Sequence, residues 1–262
     1  MKTDRQERLR RILHMLLAER VDMNQVPEEL QAQQRLMRAL LNIRPPRPVS
    51  REFLNLQDKE LQEQLAEKGV VELGDIPVCA GEPRFRLWQG DITRLHVDAI
   101  TNAANSQMLG CFVPLHGCID NAIHSAAGVQ LRLECERMMD EQGHLEPTGR
   151  AKLTGGYNLP ARHVIHTVGP VVPDGIPTEE QKRQLASCYR SCLELADSHG
   201  LGSVAFCCIS TGEFRFPNQL AAQIAVSTVT DYLDRHPKTS IQALIFNVFK
   251  DEDYHIYQSL LS

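Results

Sequence analysis

The sequence predicts an α/β fold: a largely parallel or mixed sheet with helices on both faces, preceded by an all-helical extension. Three observations carry this. From about residue 76, apolar strand-like runs alternate with helical patterns, the order that builds parallel sheets covered by helices. Residues 1–70 instead show only the helical period. The chain has 262 residues, enough for one large domain and an appendage, since domains run roughly 100–200 residues. The expected division is therefore a helical extension over 1–70 and an α/β domain over 76–262.

In the extension, Leu9, Ile12, Leu13, Leu16 and Leu17 repeat as one apolar helix face. A second helix fits 27–42, with Pro27 at its start and Leu30, Met37, Leu40 and Leu41 on one side. Pro45, Pro46 and Pro48 break the chain. Ser50 then caps a third helix that runs to about Lys68, before Gly69. The charges here read as solvated. In the α/β part, strands are expected at 84–90, 97–102, 151–158, 162–168, 203–209 and 242–249. Helices are expected at about 119–127, 128–140, 178–199, 217–234 and 252–261. The helix over 178–199 opens Thr-Glu-Glu-Gln, a capping box. Pro217 suits the first turn of its helix.

Composition narrows the function. Net charge is −5, which argues against a broad nucleic-acid-binding face. No apolar run approaches the ~20 residues that span a bilayer. The first twenty residues are interrupted by charges throughout, unlike a secretory signal. Their basic amphipathic pattern fits a helix docked on its own protein better than one lying on a membrane. Eight cysteines in a chain of this kind point to a reduced, cytoplasmic protein rather than a disulfide framework.

The residues that carry chemistry fall at strand ends, where open α/β sheets bind ligands. Gly90-Asp91-Ile92-Thr93 follows a strand. The Asp91 carboxylate can accept from an exocyclic amine such as adenine N6, and the Ile92 N–H can donate to a ring nitrogen. Gly74-Asp75-Ile76 has the same letters without the strand and reads as a linker turn. Asn102-Ala103-Ala104-Asn105 offers two amides suited to sugar hydroxyls; it equally fits a turn held by asparagine side chains. Ser210-Thr211-Gly212-Glu213-Phe214 joins a strand to a helix start and could cradle an anion, with Phe214 or Phe216 against a ribose. It also fits an ordinary helix cap.

Cys111, His116 and Cys118 place three soft or borderline ligands within eight residues. Three ligands with no obvious fourth fit a catalytic zinc site with an open position. The spacing also fits two core thiols beside a surface histidine. Asp120 stands at the following helix start, either as a general base or as a carboxylate favoured by the helix dipole. His124, His163 and His166 read as packing or structural residues.

Taken in order, QGDIT (89–93), VDAITNAAN (97–105), IDNAIHSAAG (119–128), TGGYNLPARHVIHTVGP (154–170) and ISTGEFRFP (209–217) resemble the macrodomain family. That resemblance implies a three-layer α/β/α fold with a mixed central sheet that binds ADP-ribose. One stretch departs from the commonest hydrolase type: GCFVPLHGC replaces a glycine-rich run before Asp120. It is similar to a zinc-dependent branch whose members also carry a helical extension with an RPPxPxSxEFL segment, matched here at 44–54. The resemblance implies a zinc-dependent hydrolase that removes mono-ADP-ribose from proteins, from acidic side chains, with one zinc ion held by Cys111, His116 and Cys118. Transferred residue by residue, Asp91 and Ile92 would hold adenine, Ser210, Thr211, Gly212, Glu213 and Phe214 the pyrophosphate, and Asn105 the distal ribose, with Asp120 assisting catalysis. In some bacteria the branch is associated with a sirtuin-like ADP-ribosyltransferase and a lipoyl-carrier protein. Arg215 stands where many members have glycine. Competing readings are a non-catalytic ADP-ribose reader, an O-acetyl-ADP-ribose deacetylase and a metal-stabilised interaction module.

Overall fold

The computed structural model describes residues 4–20 and 25–262. Helices α1 (Asp4–Ala18), α2 (Leu30–Ile43) and α3 (Arg51–Lys68) form the extension. The predicted face of α1 is buried against Met37, Leu40, Leu41, Phe53 and Leu61. Ser50 caps α3 by accepting from Phe53 N. Helix α2 starts three residues later than Pro27 suggests. Glu29 stands at its cap, and Gln33 turns back to donate to the Pro27 carbonyl.

The charges of the extension are not all solvated. Glu60 is fully buried and accepts from Arg5, Arg8, Gln34 and Gln64. Burial pushes its pKa up, but these donors together outweigh burial and hold it below the usual carboxylate range. Arg8 and Arg5 also pair with Glu63 and Glu67 at the rim.

Strand β1 (Val71–Glu72) pairs parallel with β3 (Leu95–His96), a two-residue contact too short for any periodicity to announce. The Gly74-Asp75 segment between them and the sheet closes a short 3-10 turn. The main sheet comprises β2 (Phe85–Gln89), β4 (Ala99–Ala104), β5 (Ala151–Gly155), β6 (His163–Val168), β7 (Ser203–Phe206) and β8 (Ala243–Val248). Its order is β2-β8-β7-β4-β6-β5, all parallel except β5, which runs antiparallel to β6. Every residue of β7 and β8 is buried, as expected where helices cover both faces. The helices are α4 (Ile119–Ala127), α5 (Val129–Gln142), α6 (Glu179–Ser198), α7 (Asn218–Arg235) and α8 (Asp251–Leu260). The three-layer α/β/α fold is thus present. Val129 and Leu133 of α5 pack into the apolar cluster of the extension, which ties the two parts together.

Three strand boundaries moved, each for a local reason. Strand β4 lies two residues later than 97–102, in register with β6 from Ala99–His163 to Ala104–Val168. Strand β5 stops at Gly155, because Gly156 N bonds Arg162 O to close a turn in which Tyr157 has φ +54°. Strand β7 ends at Phe206, where Cys207 N is captured by Thr101 Oγ1 at 2.9 Å. Among the described residues no helix is long and apolar enough to cross a membrane.

Candidate functional site

A cleft of about 1090 Å³ opens at the carboxyl ends of β2, β4, β7 and β8. Asp91, Ile92, Asn105, Cys111, His116, Cys118, Asp120 and the run Ser210 to Phe214 all line it. Residues of α2 and α3, among them Arg38, Leu61 and Lys68, form a further wall that no local pattern announces.

Asp91 caps a 3-10 turn after β2, accepting from Thr93 N and, at 2.6 Å, from Thr93 Oγ1. Its other oxygen pairs with Lys68 Nζ at 3.1 Å. Burial works to raise its pKa, but the Thr93 bonds and the Lys68 charge outweigh it and hold the group low. The Asp91 carboxylate is therefore an anion facing the cleft.

The shift of β4 separates the two asparagines that the sequence treated as a pair. Asn102 is fully buried within the strand and away from the cleft. It donates through Nδ2 to Asp120 Oδ1 at 2.8 Å, and the same nitrogen lies 3.1 Å from His166 Nδ1. Asn105, just past the strand, accepts from Gln107 N and donates to Gly110 O at 3.1 Å and Asp120 Oδ2 at 3.4 Å. Both asparagines thus grip the same carboxylate, one from below and one from the cleft side. Burial pushes Asp120 up to about 6, with Asn102 and the Arg132 charge pulling the other way.

The segment between β4 and α4 folds back on itself through left-handed residues Met108, Gly110 and Leu115. At Gly110 a Cβ would lie 2.8 Å from His124 Cγ, so glycine is required there. Arg132 of α5 donates to Leu109 O at 2.7 Å and lies over the Phe112 ring. Asn121 donates to Val113 O at 3.0 Å. The fold-back brings the ligand atoms of Cys111, His116 and Cys118 within 4.8 Å of one another. His116 Nδ1 is buried without a hydrogen-bond partner, and Nε2 lies 3.6 Å from Glu213 Oε1. Two thiols and an orphaned imidazole nitrogen in this proximity are a donor set suited to zinc. Cys118 is also the N-cap of α4, its Sγ accepting from Asn121 N. Burial, with Cys111 alongside, pushes its thiol up to about 12.

The loop after β7 is built on two further left-handed residues, Ser210 at φ +67° and Arg215 at φ +57°. Arg215 adopts the backbone conformation that glycine takes freely, and its side chain turns outward to donate to Pro173 O. Phe216 is buried in the core, so of the two Phe214 is the one that lines the cleft. Ser210 Oγ is buried without a partner. Gly169, after β6, approaches this hydroxyl so closely that an added Cβ would lie 2.0 Å away. The sequence offered Gly169 only as a motif letter.

A Macro domain family model matches residues 101–225. A Protein-ADP-ribose hydrolase of Treponema medium is 50% identical over 91% of this chain and 91% of its own length. The chain belongs to the macrodomain family. A second Protein-ADP-ribose hydrolase, from Staphylococcus aureus, is 50% identical over 87% of this chain and 84% of its own length. Among solved structures, a Trypanosoma brucei macrodomain in complex with ADP-ribose is 32% identical with a TM-score of 0.66, covering 82% of this chain and 92% of that one.

Beneath Asp120 this macrodomain buries a layer made of His124, Cys135 and His166. His166 reaches Thr154 Oγ1 at 3.0 Å. His124 Nε2 lies 3.5 Å from Asp120 Oδ1, and neither of its ring nitrogens forms a hydrogen bond. Burial lowers the His166 pKa to about 3 and that of His124 well below the usual value, the latter with help from the His166 and Arg132 charges. Burial raises Cys135 to about 12. All three are therefore neutral at pH 7.

A pH dependence of stability follows. As pH falls through about 6.5, the unfolded chain takes up a proton on each histidine and the folded protein does not, so acid favours unfolding. Asp120 has the opposite sign, because its folded pKa lies above its unfolded one and the native state gains a proton first. Two protons less one leave a net loss of about 1.4 kcal/mol per pH unit between pH 6 and 5. Urea unfolding across that range measures it. Stability that is flat or rises toward pH 5 contradicts a neutral histidine layer.

Proposed function

We propose that this macrodomain is a zinc-dependent hydrolase that removes mono-ADP-ribose from modified proteins, at aspartate or glutamate side chains. The observation that carries the reading is the convergence of a Cys111–His116–Cys118 donor set and the held carboxylate of Asp120 on one cleft. Relatives named Protein-ADP-ribose hydrolase at 50% identity support the enzymatic class.

In this reading Asp91 accepts from the adenine amine and the Ile92 N–H meets a ring nitrogen. Ser210, Thr211, Gly212, Glu213 and Phe214 wrap the pyrophosphate, and the partnerless Ser210 hydroxyl gains an anionic acceptor. Asn105 meets the distal ribose. Asp120, largely ionised at pH 7 with its pKa at about 6, accepts the proton of a water whose oxygen bonds to ribose C1″ as the carboxylate leaving group departs. A zinc ion held by Cys111, His116 and Cys118 would supply Lewis-acid stabilisation of charge at the distal ribose or its leaving group. A cytoplasmic setting keeps both thiols reduced and able to bind metal.

Metal analysis alongside release assays on aspartate-, arginine- and serine-linked substrates tests the proposal. The expected result is one zinc per chain and release from the carboxylate-linked substrate. Tight ADP-ribose binding with no release from any substrate makes the protein a reader instead. Faster turnover of O-acetyl-ADP-ribose than of any protein substrate makes it a deacetylase. The pyrophosphate assignment has its own test. Gly169→Ala forces Ser210 aside and lowers ADP-ribose affinity by about 10–100-fold in calorimetric titration. Unchanged affinity removes Ser210 from the binding loop.

A further inference from the structure

We infer that helix α2 of the extension is part of the metal site, and that Asn42 and Arg38 set the affinity for the ion by holding the peptides on either side of the Leu115–His116 link, at Leu115 N and His116 O. This rests on the reading of Cys111, His116 and Cys118 as zinc ligands.

The two side chains lie one turn apart on the same face of α2. Asn42 is almost wholly buried. Its Oδ1 accepts from Leu115 N at 2.9 Å, while its Nδ2 donates to Ser125 Oγ of α4 at 2.9 Å. Arg38 Nη2 donates to the His116 carbonyl at 3.2 Å and to Asn121 Oδ1 at 2.9 Å. Asn121 in turn holds Val113 O through its side chain and Cys118 Sγ through its backbone N–H. Ser125 Oγ donates to Asn121 O, which closes the ring. Two of the three metal donors are therefore tied to α2, His116 through its own carbonyl and Cys118 through Asn121.

The tie is needed because the loop is held in an unfavourable conformation. Leu115 has φ +57°, a left-handed backbone that a leucine adopts only when its surroundings impose it. The Asn42 bond to its N–H is that imposition. A second tie runs through Arg132, which donates to Leu109 O at the start of the loop and to Leu41 O and Arg44 O at the end of α2. Without α2, the backbone at Leu115 and His116 keeps only the bond from His116 N to Val113 O at 3.3 Å and can relax to an ordinary conformation. The imidazole then leaves the two thiols, and binding a cation must first restore the geometry. Outer groups that orient metal ligands commonly change metal affinity by about 10–100-fold.

The test is zinc affinity of the full-length protein by competition with a chromophoric chelator. Asn42→Leu, close in size but without the acceptor, and Arg38→Met are each expected to weaken zinc binding by about 10–100-fold. Asn42→Asp keeps an acceptor for Leu115 N–H and is expected to retain most of the wild-type affinity. Asn42 does not line the cleft, so Asn42→Leu is expected to bind ADP-ribose within about twofold of wild type when both are metal-free. Wild-type zinc affinity in Asn42→Leu and Arg38→Met overturns this inference and leaves the metal site standing. A parallel loss of ADP-ribose binding in Asn42→Leu overturns it too, since α2 then supports the whole cleft and not the metal loop. A wild-type protein that binds no zinc overturns the metal reading itself, and this inference with it.

Discussion

Asp120→Asn lowers the single-turnover rate of ADP-ribose release by about 10²–10⁴-fold, the usual contribution of a positioned acid or base. The substitution keeps the shape of the side chain and the acceptor for Asn102 Nδ2. It removes the proton-accepting charge and, with it, the weak acceptor for Asn105 Nδ2 at 3.4 Å. Folding stability does not fall, because burial already disfavours the carboxylate, as its raised pKa of about 6 shows. A neutral amide in that position relieves the cost, the usual exchange between stability and function at a site. Thermal unfolding measured on the same sample separates the two effects. A rate within threefold of wild type removes Asp120 from the chemistry.

Cys118 carries two jobs, and two substitutions tell them apart. Its Sγ caps α4 and is also one of the three proposed metal donors. Cys118→Ser keeps an N-capping oxygen, and serine is a preferred cap. Helix α4 and Asp120 therefore stay in place while the thiolate is lost. The expected result is a zinc content well below one per chain and a fall in turnover of about 10²-fold or more, since Lewis-acid stabilisation is worth several kcal/mol. Cys118→Ala loses the metal in the same way and in addition costs about 1 kcal/mol of stability through the missing cap. Full turnover in metal-depleted Cys118→Ser would make the metal structural only.

What the sequence made legible was periodic or local. The leucines of α1, the Ser50 cap and the Thr178–Gln181 capping box are short-range patterns, and each is found in the structure. The cleft-lining residues were legible because strand ends follow from the pattern, and loops after parallel strands converge on one edge of the sheet. Other features depend on residues far apart in the chain. Asn102 and Asn105 look alike in sequence, and only the register of β4 on β6 turns the first inward to Asp120 and leaves the second in the cleft. Glu60 reads as one more charge on a polar helix face until Arg5 and Arg8 arrive from α1. Lys68 beside Asp91, and Asn42 beside Leu115, join segments that no spacing rule connects. Cys118 was legible as a ligand and not as a cap, because thiols are rare in that role.

Cys111, His116 and Cys118 fit zinc by donor type and proximity, and Asp120 stands in the same cleft. Titrating metal-depleted protein with zero to one equivalent of zinc, while following release of mono-ADP-ribose from an aspartate-linked protein substrate, joins these two facts in one experiment. The rate should rise in proportion to bound zinc, level off at one ion per chain, and fall to the Cys118→Ser level when the metal is removed. A metal-depleted protein that releases ADP-ribose at the full rate would contradict the zinc-dependent mechanism outright.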